Sequence, residues 1–163
     1  MSVNKYRKHL IIIPEDDANR QIVIGFLLYD SIVGRAIQIL PSAGGWLKAE
    51  EALKSQLGYM RNHQNCHILL IIDFDEYLTR RKKIREEIPE DIRNRIYILG
   101  SFSQPEDLKK EFGPYENIGR LLSEECLEEK WKIWESQNLK NNQSELTRLN
   151  KDVRPFVFKS ISP

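Results

Sequence analysis

The sequence predicts an α/β domain around a mostly parallel sheet of about four strands flanked by helices, with a C-terminal helical extension. Three observations lead there. Four short aliphatic runs recur along the first two-thirds of the chain, namely residues 9–13 (HLIII), 36–40 (AIQIL), 68–72 (ILLII) and 95–99 (RIYIL). Segments with apolar residues at helical spacing separate them. The third run, ILLII, is also apolar on both faces, as a strand at the centre of a parallel sheet covered on both sides must be. Strand alternating with helix is the pattern of parallel sheets.

Each element has a local reason. The first run is closed by Pro14, and in EDDAN either Asp16 or Asp17 can cap a helix carrying Ile22, Val23, Phe26 and Leu27. Gly34 breaks the chain before the second strand. PSAGG (41–45) turns it into a helix bearing Leu47, Leu53, Leu57 and Met60. After the third strand a charged segment, 77–87, predicts a solvated helix. Beyond residue 113 the pattern changes. Ser123 can cap a helix through about Asn138, with Trp131 and Trp134 three apart on one face, and RPFVF near the end reads as an added edge strand. The expected division is a sheet domain, 1–113, with the extension, 114–163, packed on it.

Composition narrows the function classes. At 163 residues the chain can bury a real core, and its net charge of +1 gives no global electrostatic case for nucleic acid while leaving room for a local basic patch. Cys66 and Cys126 fit neither a metal spacing nor a disulfide framework, so a reducing, cytoplasmic setting is expected. No stretch is apolar for long enough to predict a membrane span or a signal peptide. His9, His63 and His67 lack zinc-like spacing.

The chemistry gathers where the strands end, which is where parallel sheets place their sites. Glu15, the pair Asp73 and Asp75, and Glu106 each follow a strand, and a glycine pair, Gly44 and Gly45, follows another. Acids on one rim repel unless a cation neutralises them. Asp73 and Asp75 are two apart, so an extended chain would aim both at one hard cation such as Mg²⁺. They can equally be polar residues closing a strand. Asp16 and Asp17 are explained by capping, and Gly44-Gly45 is either a phosphate-approaching turn or only a tight turn. Arg80, Arg81, Lys82 and Lys83 form a basic run that is a solvated helix face or a grip on a phosphate backbone.

Taken in order, HLIIIPEDDANRQIVIGFL, ILPSAGGWLKAEEAL, LLIIDFDEY and RIYILGSFSQPEDLKKEF resemble the TOPRIM domain of topoisomerases, primases and OLD-family nucleases. The likeness is greatest to small stand-alone or nuclease-type members and covers residues 9–112. It implies a Mg²⁺-dependent nuclease (Mn²⁺ being the other candidate metal), with Glu15 as general acid/base or ligand, Asp73 and Asp75 as metal ligands and Glu106 as a supporting ligand. Asp16 stands where the family has glycine, and Asn19 where it often has an acid. The alternative is a catalytically silent TOPRIM-like module that binds a partner, or itself, through Trp131 and Trp134. A haloacid dehalogenase-like phosphatase also begins with a strand and Asp-x-Asp, but Tyr77 stands where that family has Thr or Val, and two strands precede the motif.

Overall fold

A computed structural model describes residues 3–159. Strand β1 (His9–Pro14) leads into helix α1 (Asp17–Leu27), and a single 3-10 turn at Gly34–Ala36 precedes β2 (Ile37–Ile39). Then come α2 (Trp46–Asn62), β3 (Cys66–Ile71), α3 (Thr79–Glu87), α4 (Glu90–Arg93) and β4 (Ile96–Leu99). Helices α5 (Pro105–Phe112), α6 (Tyr115–Glu128), α7 (Gln143–Asp152) and α8 (Arg154–Val157) complete it. The strands run β2-β1-β3-β4, all parallel.

The aliphatic runs are continuous because both faces are covered. Ile11, Ile13, Ile68, Leu70, Ile96 and Ile98 pack with Leu53, Met60, Ile84 and Ile92 of α2, α3 and α4. Their alternate neighbours Leu10, Ile12, Leu69, Tyr97 and Leu99 pack with α1, α6, α7 and α8. The last third of the chain thus joins α1 in one of the two helical layers and shares its core with the sheet. Among its contacts, α1 and α6 meet backbone to backbone: a Cβ on Gly25 would lie 1.9 Å from the Glu116 carbonyl oxygen, and one on Gly119 1.8 Å from that of Ile22. Only glycine permits that approach.

Two C-terminal expectations are corrected. The helix expected over 123–138 instead starts at Tyr115, directly after Pro114, and stops at Glu128. Ser123 is no cap; it lies buried in mid-helix, its hydroxyl without a hydrogen-bond partner. Glu129 adopts the left-handed conformation (φ 57°), and the Glu125 carboxylate accepts the N–H groups of Ile133 (2.9 and 3.0 Å) and Trp134 (3.3 Å). Those donors would bond backbone carbonyls if the helix continued. Trp134 consequently faces inward, buried, its indole N–H donating to the Leu122 carbonyl at 3.4 Å, while Trp131 packs half-buried beside it. Of the tryptophan pair, Trp134 thus belongs to the core, and only Trp131 keeps part of its surface at the outside. RPFVF is also no strand: it forms α8, and only Phe158 makes an isolated antiparallel bridge, to Ile32.

The basic run divides as soon as it folds. Arg81 turns inward, donating to the carbonyls of Ile98 (3.1 Å) and Asn141 (2.9 Å) and to the side chains of Asn141 (2.9 Å) and Asn142 (2.7 Å). Arg85 and Arg148 both pair with the buried Glu145 of α7. Arg81 and Arg85 fasten α3 to the C-terminal layer, while Arg148 ties α7 to the carbonyls of Asn94 and Ile96. Among the described residues no helix is long and apolar enough to cross a membrane.

Candidate functional site

Strand β1 sits between β2 and β3, so the chain crosses one way to reach β2 and the other way to reach β3. The crevice between β1 and β3 is therefore the switch point of the sheet, where ligands of open α/β folds bind. Glu15 leaves the end of β1 and Asp73 the end of β3. Their carboxyl-edge loops are stitched together: the Glu15 N–H donates to the Ile71 carbonyl at 2.9 Å, and Glu15 Oε2 accepts the Asp73 N–H at 2.6 Å.

Asp73 lies at the centre of this arrangement. Its Oδ1 accepts from Asn19 Nδ2 and from Ser101 Oγ, each at 3.3 Å, and the residue is 7% exposed. Burial, and then the neighbouring charges of Asp16 and Glu15, push its carboxyl up to about 8, although the Asn19 and Ser101 bonds act the other way. Glu15 is also raised, chiefly by burial; the hydrogen bond from Asp73 opposes the shift, Asp16 and Asp75 add to it, and Arg80 lowers it. Asp16 caps α1, accepting the Asn19 N–H at 2.9 Å. A buried and a half-buried carboxyl group that resist ionisation, side by side in a crevice, are a site that holds a proton or draws a cation.

Asp75 does not share that setting. The chain leaves extended geometry before it, with Asp75 at φ 47° and Glu76 at φ 67°, so the two aspartates do not point the same way. Two successive non-glycine residues in the left-handed region store backbone strain of the kind that collects at functional loops. Asp75 instead meets Arg80, whose Nη1 donates to its Oδ2 at 2.9 Å and to the Asp73 carbonyl at 2.8 Å. The guanidinium lies over the Trp46 ring, 4.9 Å from its centroid, and 5.8 Å from that of the exposed Tyr77. Glu106 is exposed in the first turn of α5. Its charge reaches Tyr115, whose phenol is raised by burial and then by Glu106, Asp16 and Asp73.

Among the described residues no three His, Cys, Asp or Glu side chains converge as a metal shell, so Asp73, Asp75 and Glu106 do not form the expected trio. Of the two readings of the glycine pair, the geometry fits the tight turn. The N–H groups of Gly44 and Gly45 both point at the Glu15 carbonyl (2.8 and 3.3 Å), so they anchor the Glu15 loop and are not free for phosphate. Lys82 and Lys83 are exposed, Lys83 lying 5.5 Å from the Trp46 centroid. The positions that sequence reasoning did not assign are Asn19, Ser101, Tyr115 and the clamping role of Arg80. Ser101 carried a signal, since it follows the fourth strand at the same edge.

The oxygen donors suit a hard cation. Mg²⁺ is commonly held by one or two carboxylates, with water and substrate phosphate completing its shell, and Glu15 with Asp73 matches that minimum. No family model matches the chain, and no curated protein or solved structure does.

Proposed function

We propose that the protein is a TOPRIM-like, Mg²⁺-dependent nuclease or related phosphoryl-transfer protein acting on nucleic acid in a cytoplasmic setting. The observation that carries this reading is the pairing of half-buried Glu15 with buried Asp73 at the switch point of the sheet, two carboxyl groups with raised pKa values and excess negative charge around them. Asp73 would hold the metal with Glu15 beside it, and a bound divalent ion supplies charge stabilisation to a phosphodiester and a more acidic water.

The chain's own residues do the rest. Asn19 and Ser101 fix the orientation of Asp73 by donating to its Oδ1. Glu15, half-buried and raised, is suited to take a proton from an attacking water at neutral pH. Arg80, held by Asp75 and the Asp73 carbonyl, keeps a positive charge beside the crevice. Lys82 and Lys83 remain for the phosphate backbone, whereas Arg81 is used inside the fold.

The test is cleavage of labelled single- and double-stranded DNA and RNA in Mg²⁺, Mn²⁺ or EDTA. Metal-dependent cleavage is expected, with Glu15→Gln and Asp73→Asn each losing about 10²–10⁴-fold in rate. Unimpaired variants, or a wild type that cleaves none of these polymers with either metal, would refute the enzymatic reading. An amide NMR titration with Mg²⁺ tests the metal separately: resonances of Glu15 and Asp73 should move, and unchanged spectra would leave no metal site.

A further inference from the structure

The far side of the sheet holds a second feature, unconnected with the acidic crevice. Between the strands and the layer of α1, α6, α7 and α8 lies a cavity of about 120 Å³. Its floor crosses all four strands, with Ile37, Leu10, Leu69 and Leu99 in the lining, and its roof includes Val23 and Leu122. Protein interiors close-pack and contain few voids larger than a water molecule. Water needs two or more polar partners to stay in such a space, and these walls are almost entirely hydrocarbon.

The polar side chains at the lining are already engaged or uncharged. Arg154 donates to the carbonyls of Cys126 (2.9 Å) and Leu127 (3.1 Å) and to Glu129 (3.2 Å). The Trp134 indole N–H is held by Leu122. Burial pushes the Cys126 thiol up to about 12, so it stays neutral. Asn150 completes the set at the end of α7. A carboxylate or ammonium placed here would find no uncompensated opposite charge, and burying it would be costly.

We infer that this cavity is a binding site for a small, uncharged, hydrocarbon-like molecule about the size of one aromatic ring. An engineered apolar cavity of roughly 150 Å³ stays dry and takes up benzene or xenon, and this one is close to that size. The site requires nothing of the acidic crevice and stands if the nuclease reading fails.

Methyl NMR of the full chain, titrated with benzene and separately with benzoate, tests it. Benzene should produce saturable shifts confined to cavity methyls such as those of Leu69, Leu122, Leu149 and Val153, and a melting temperature that rises with its concentration. Benzoate should produce neither. Leu149→Phe, which fills the space, should abolish the benzene shifts; should it not fold, the milder Val153→Ile should weaken binding several-fold. The inference is overturned if benzene gives no saturable shifts up to its solubility limit, if the shifts fall outside the cavity, or if benzoate binds as well as benzene.

Discussion

Replacing Asp73 by asparagine should stabilise the protein, and by an amount set by pH. The folded chain holds the Asp73 carboxyl at about 8 against an ordinary 3.8. Between those values the folded state keeps a proton that the unfolded chain has released. Stability contributed at this position therefore declines as pH rises through that window, and levels off once both states are ionised. One pKa unit corresponds to about 1.4 kcal/mol, so the roughly three units below neutrality set a ceiling on the order of 4 kcal/mol at pH 7. Asparagine keeps the Oδ1 that accepts from Asn19 and Ser101, and it adds an amide donor where Glu15 and Asp16 press their charge. We expect Asp73→Asn to gain on the order of 2–4 kcal/mol at pH 7 to 8 and almost nothing at pH 4. Urea unfolding in EDTA across that range reads it directly, with an unchanged m-value showing that the unfolded state is the same. Mg²⁺ should then stabilise the wild type and leave the variant untouched. A variant less stable than wild type at pH 8, or one whose gain does not vary with pH, would refute the electrostatic account of the site.

The remaining predictions concern the frame around it. His67, buried and hydrogen-bonded to the Tyr97 hydroxyl at 3.2 Å, is lowered to about 4 from 6.5, first by burial and then by Arg95. Its contribution is intact above pH 6.5 and falls as pH drops toward 4, by on the order of 3 kcal/mol, so His67→Gln should move the acid-unfolding midpoint, followed by circular dichroism, to lower pH. Gly119→Ala should cost about 3 kcal/mol or more in urea unfolding, because its Cβ would meet the α1 backbone. Gly58→Ala, which faces open space within α2, should instead gain about 0.4–1 kcal/mol. Arg81→Ala should lose about 2–4 kcal/mol of stability by stranding its buried acceptors. The pair Lys82→Ala and Lys83→Ala should leave stability within about 0.5 kcal/mol and lower the salt dependence of nucleic-acid binding, measured by anisotropy, by about one unit of slope per charge lost.

The sheet was legible because its evidence is local. A strand covered on both faces has to be apolar at every position, and a strand leaving the core has to end in polar residues, so Glu15 and Asp73 could be placed on one rim from the alternation of elements alone. What the sequence did not disclose depends on partners far along the chain. Helix α6 stops because Glu125 captures two amides beyond it, a bond that no helical periodicity reports. Arg81 reads as surface charge until Asn141 and Asn142 are brought to it. Asp75 looks equivalent to Asp73 until Asp75 and Glu76 take left-handed backbone and the chain leaves extended geometry. The Gly44-Gly45 pair reads as either kind of turn until the Glu15 carbonyl is seen to take its donors.

The same long-range partners decide where the site's negative charge is concentrated. Asp75 already has a cation in Arg80, at 2.9 Å, and that arginine also takes the carbonyl of Asp73. On the other side, Asp16 and Glu15 act on a buried Asp73, and no positive charge is among the largest influences on it. Two neutral groups stand there instead, Asn19 and Ser101, which lower the pKa of Asp73 without cancelling the charge around it. An acid at position 19 would have added a further negative charge to a crevice that already drives a proton onto its central carboxyl. With an amide there, the fold can form by holding that proton, and a divalent cation arriving from solvent has one proton to displace. Proton and metal would then compete for one carboxylate, so metal affinity should strengthen as pH rises toward 8, the direction in which the metal-free protein loses stability.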